Sequence, residues 1–113
     1  MTRIKFFKKH DIYTGFEISG HTGYARSGKD ILCAAISGMS QSCILGITKV
    51  LEIDSNITRD DDSGYLKIEL PENLSIEKLQ EVQVLLRTLY VGLEDLKSGY
   101  SKYISMEVIE NVY

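Results

Sequence analysis

The chain has 113 residues, a formal net charge of −3, 43% hydrophobic and 26% charged residues, and one proline. This globular balance predicts one domain over residues 1–113 and excludes both disorder and a basic surface for direct nucleic-acid binding. Met1 to Lys9 is charged and lacks the apolar stretch of a signal peptide. Apolar runs break within about ten residues, against the ~20 of a membrane span, so a cytoplasmic protein with no membrane contact is expected.

In chain order, Ile4 and Phe6 alternate with Lys5 and Phe7, and Phe16 and Ile18 with Glu17 and Ser19. With the polar Lys9-His10-Asp11 between them, these runs predict a hairpin. The second strand ends at Gly20-His21, and the polar Thr22–Lys29 segment, with Gly20, Gly23 and Gly28 in or beside it, predicts a mobile loop. A helix is expected from Ile31 to Leu51, with Asp30 as its N-cap and an apolar stripe of Leu32, Ile36, Met39, Cys43, Ile47 and Val50. Asp60 to Gly64 reads as a solvated turn into a strand carrying Leu66, Ile68 and Leu70, which Pro71 ends. A second helix starts near Ser75, carries Leu79, Val82, Leu86, Leu89, Leu93 and Leu96, and has Gly99 as its expected C-cap. The last strand, Lys102 to Ile109, places Ile104, Met106 and Val108 on one face.

The order β-β-α-β-α-β, with one apolar stripe per helix, predicts an α+β two-layer sandwich with two helices on one face of a four-stranded sheet. Phe7, Tyr65 and Tyr103 fall on the other face and mark a candidate dimer contact.

The chemistry concentrates between Gly20 and Ser37. With Asp30 as cap, Cys33 is the third helical residue, where unpaired amides and the helix dipole favour a thiolate. His21 lies across the glycine-rich loop, and that topology can bring an imidazole to a thiol. Ser37 is one turn on, able to donate to the sulfur or to substrate. Asp30 can either orient His21 or simply cap the helix, and the amides of Cys33 and the preceding turn are candidate oxyanion donors. The residues alone also admit a bland reading, in which Cys33 is a small buried hydrophobe and His21 is solvated. Cys43 belongs to the apolar stripe and His10 to the hairpin turn. One Cys and one His are half a tetrahedral zinc set, no C-x-x-C is present, and no metal or cofactor is expected.

The run Gly20-His21-Thr22-Gly23-Tyr24-Ala25, followed by Gly28-Lys29-Asp30-Ile31-Leu32-Cys33-Ala34-Ala35-Ile36-Ser37, resembles the ribosomal-processing cysteine protease family, Prp. Gly64-Tyr65-Leu66, Gly92-Leu93 and Tyr100-Ser101-Lys102-Tyr103-Ile104 extend the resemblance along essentially the whole chain. It implies Cys33 and His21 as catalytic residues, with Asp30 and Ser37 in support. From position alone, the glycine-rich loop, with Gly20, Gly23, Tyr24, Arg26 and Gly28, is expected to open for the substrate and contact it. The resemblance also implies a homodimer that removes the N-terminal extension of large-subunit ribosomal protein L twenty-seven, cutting after an aromatic residue. Two positions depart from the family pattern: Thr22 stands where alanine is common, and Ser101 where proline is frequent. The rival reading is a noncatalytic ribosome-associated binding module with Cys33 as a core thiol.

Overall fold

A computed structural model describes residues 1–26 and 29–110. Strands β1 (Thr2–Lys9) and β2 (Ile12–Ser19) form the predicted hairpin, with Ile4 opposite Ile18 and Phe6 opposite Phe16. Its two-residue turn is His10-Asp11, at φ 52° and 65°. Such a mirror-image turn matches the right-handed twist of the strands it joins. Two further antiparallel strands, β3 (Asn56–Asp60) and β4 (Tyr65–Glu69), extend the sheet beyond β2, while β5 (Ile104–Glu110) runs parallel to β1. The order is β3-β4-β2-β1-β5.

Among the described residues the sheet therefore has five strands where the sequence predicts four. The addition, β3, is exposed at every residue, so neither of its faces carries the apolar alternation that marks a half-buried strand. Asp60 belongs to β3 and pairs with Tyr65; the turn proper is closed by the Gly64 amide on the Asp61 carbonyl.

Helix α1 (Ile31–Leu45) runs on into a π-helical turn over Gly46–Val50. The wider turn rotates each residue by less than the 100° of an α-helix. Leu32, Ile36, Cys43 and Ile47 keep their buried places, but Val50 swings out to 77% exposure, contrary to the α-helical spacing. Residues 31–50 carry no charge before Lys49, and by length and composition alone they could cross a membrane. One face of this helix, Leu32, Ile36, Cys43, Ile44 and Ile47, joins the core shared with the sheet and α2 (Ile76–Gly99), and 28% of its apolar window is buried.

Ser75 caps α2, and Val82, Leu86, Leu89 and Leu93 are buried. Gly99 is the last helical residue, with Tyr100 as the C-cap. Lys102 and Tyr103 lie in a turn before β5, so Tyr103 is not on the outer sheet face; its ring packs on Tyr24. Phe7 is on that face but buried, with Lys67 over its ring, and the Tyr65 hydroxyl donates to Glu17 at 2.8 Å. The three aromatic residues thus do not form one open patch.

Two details lock the layers together. Strand β4 pairs with β2 from Gly15 onward, which leaves Tyr13 without a strand on that side. The Gln83 side chain from α2 takes the place of one: its Nε2 donates to the Tyr13 carbonyl and its Oε1 accepts the Tyr13 amide, both at 2.8 Å. A buried peptide group must be paired in this way or cost free energy. At Gly15, a Cβ would lie 2.1 Å from the Ile68 carbonyl oxygen, so only glycine allows β2 and β4 this close. Gly15→Ala is expected to destabilise the fold by about 3 kcal/mol or more, read as a lower denaturant midpoint.

Candidate active site

Cys33 sits on the first turn of α1, half-buried, because Asp30 caps that helix: its Oδ1 accepts the Cys33 amide at 2.9 Å. The same bond occupies the Cys33 amide and removes it as an oxyanion donor. The other Asp30 oxygen, Oδ2, accepts the Thr22 hydroxyl at 2.5 Å and the Ala25 amide at 3.3 Å. Partial burial alone would push the Asp30 carboxyl up. The bonds from Thr22, Cys33 and Ala25 outweigh it and hold the group down at about 2.

Thr22 is the hinge of the arrangement. It is 2% exposed, its amide donates to Cys33 Sγ at 3.2 Å, and its Oγ1 lies 3.4 Å from the same sulfur. The sulfur thus accepts a backbone hydrogen bond at the N-terminal turn of α1.

His21 takes a different partner from the one the sequence suggests. Gly20 turns the chain at φ 86°, and the exposed His21 ring places Nε2 3.1 Å from the Asp62 carbonyl oxygen in the β3–β4 turn. His21 and Cys33 nevertheless line one cleft of about 650 Å³, with Asp30, Ser37, Arg59 and Tyr65.

The remaining candidates divide. Gly20 lines the cleft, as does Ser37, whose Oγ is exposed and accepts from Gln41 at 2.6 Å. Tyr24 packs edge-on against Tyr100 and Tyr103, with ring centroids 5.7 and 5.3 Å apart. Gly23 has open space around it and Arg26 is exposed, while Gly28 lies outside the described residues. Cys43 is a core thiol, pushed up to about 11 by burial. Among the described residues no group of three or more His, Cys, Asp or Glu side chains could hold a metal ion.

A family model described as cysteine protease Prp matches residues 1–105. The chain belongs to the Prp family. It is similar to the ribosomal processing cysteine protease Prp of Mycoplasma pneumoniae, at 34% identity over 92 residues that cover 79% of this chain and 81% of the relative. The Prp of Bacillus subtilis is 28% identical over 85 residues, 75% of this chain and 76% of that one. The crystal structure of the ribosomal processing protease Prp from S. aureus, bound to a covalently linked product peptide, superposes with a TM-score of 0.84. That match has 22% identity and covers 96% of this chain and 99% of the other, which speaks for the fold.

Within this Prp fold, sequence reasoning missed what surrounds the sulfur. Thr22 has a signal: Phe16, Ile18 and Thr22 are buried while Glu17, Ser19 and His21 are not, so the parity of β2 carried past Gly20 points it inward. Arg59, Asp60 and Asp61 also line the cleft, brought there by the unforeseen strand β3.

Proposed function

We propose that this cysteine protease removes the N-terminal extension of ribosomal protein L twenty-seven, cutting after an aromatic residue, with Cys33 as nucleophile and His21 as its base. The observation that carries this reading is the sulfur on the first turn of α1, taking the Thr22 amide at 3.2 Å in a cleft shared with His21. His21 leaves the Asp62 carbonyl and takes the Cys33 proton as Sγ attacks the scissile carbonyl. It then protonates the leaving amine, giving a thioester. Water, losing a proton to His21, attacks the thioester; the acid leaves and the thiol is restored.

Three further points support the substrate. The relatives carry ribosomal processing in their names, and the S. aureus enzyme holds a covalently linked product peptide. Leu66, part-buried, lines the cleft beside the buried Ile18 and Ile36, an apolar wall against which an aromatic side chain would lie. The net charge of −3 attracts a basic ribosomal protein. The same reading has the protein act in the cytoplasm as a homodimer, without cofactor, membrane or direct nucleic-acid contact.

The test is incubation with the organism's own extended protein, followed by intact mass. One cut after an aromatic residue is expected, with kcat/KM falling roughly threefold or more as salt screens the encounter. An uncut substrate would overturn this substrate assignment.

A further inference from the structure

The hydroxyl of Thr22 has one proton and two lone pairs to share among three neighbours. Asp30 Oδ2, at 2.5 Å, belongs to a carboxylate that accepts from three donors and is ionised at neutral pH, so it takes the hydroxyl proton. The Tyr24 amide, at 3.3 Å, donates into one lone pair. The other lone pair is what faces Cys33 Sγ at 3.4 Å. That contact is attractive only when the sulfur carries a proton and donates it.

We propose that Thr22 is a positioning residue that keeps Cys33 a neutral thiol in the resting enzyme, its hydroxyl oxygen accepting the S–H. The two polar groups of Thr22 then act in opposite senses: the amide favours the thiolate and the oxygen favours the thiol. The position of His21 agrees, since its Nε2 is engaged by Asp62 and the proton of Cys33 needs another acceptor. When His21 turns in and takes that proton, the hydroxyl can rotate from Asp30 to the sulfur anion. Asp30 still keeps the Cys33 and Ala25 amides. The thiolate is thus formed with its base in place rather than stored.

The inference rests on the reading of Cys33 as nucleophile, but it is tested without any peptide substrate, so the two can fail separately. The measurement is the pH dependence of iodoacetamide labelling of Cys33 in the full chain, located by peptide mass spectrometry to separate it from Cys43. The charged and titratable groups that share the cleft are His21, Asp30, Arg59, Asp60, Asp61 and Tyr65, and they are common to every variant compared. Thr22→Val keeps the amide and the branched shape but loses the oxygen; Thr22→Ala loses the oxygen and leaves more room. Both are expected to lower the labelling midpoint by about half a pH unit, making labelling below the midpoint roughly threefold faster. Thr22→Ser is expected to restore the original midpoint. A midpoint that stays or rises in the Val and Ala variants overturns the proposal, and so does a Ser variant that behaves like them.

Discussion

Cys33→Ala and His21→Ala are each expected to lower kcat/KM for the extended substrate by on the order of 10³-fold or more, and the double variant no further. The expectation of equal loss follows from the way the pair works. In the proposed mechanism, loss of His21 leaves the Cys33 proton without an acceptor that can pass it to the leaving amine, and loss of Cys33 leaves His21 without a nucleophile to activate. Either loss therefore removes the same step. A double variant much slower than both singles would show that the two side chains contribute independently, and the paired mechanism would fall. Because His21 rests on the Asp62 carbonyl, a backbone group of the β3–β4 turn, its replacement is expected to leave thermal stability nearly unchanged.

Asp30 has two possible roles, and two substitutions separate them. In a triad, exchanging the orienting carboxylate for an amide costs about 10⁴-fold in kcat. Here the Asp30 oxygens are engaged by Thr22, Ala25 and Cys33, while His21 is bonded elsewhere. Asp30→Asn, which keeps a capping oxygen, is accordingly expected to stay within roughly tenfold of the parent activity, whereas a loss near 10⁴-fold would restore the triad role. Asp30→Ala removes the cap and is expected to cost about 1–2 kcal/mol of stability.

The acid limb of stability carries the same information. The Asp30 carboxyl is held at about 2 in the folded protein against an ordinary 3.8. Its contribution is therefore fully present above about pH 4 and is lost as the pH falls toward 2, an effect on the order of 2 kcal/mol before allowance for partial exposure. Denaturant titrations over that range should show a shallower acid loss in Asp30→Ala than in the parent.

What could be read from the sequence follows from which signals are local. The hairpin was legible because Ile4, Phe6, Phe16 and Ile18 bury one face and leave the other wetter. The cap at Asp30 and the place of Cys33 were legible because a helix start is fixed by neighbours in sequence. Val50 was misplaced because a π-turn leaves no mark in the residue types, only a change of phase. Strand β3 was missed because an edge exposed on both faces has no periodicity to detect. The partner of His21 was beyond reach for a different reason: a backbone carbonyl at residue 62 has no identity in the sequence, and only the fold brings it close.

The parallel pairing of β1 with β5 has a consequence for how the molecule is assembled. Thr2 opposes Ile104, and Lys8 opposes Glu110, so strand β1 takes its second neighbour from almost the other end of the chain. Closing a loop of that length costs conformational entropy before the contacts formed can offset it, and topologies dominated by such distant contacts fold slowly. The residues around Cys33 and His21, close together in sequence, can meet early. The sheet beneath them is completed only when residues 104–110 arrive. The β1–β5 pairing thus raises the contact order of the fold, and the strand that finishes the sheet is the one furthest along the chain from Cys33.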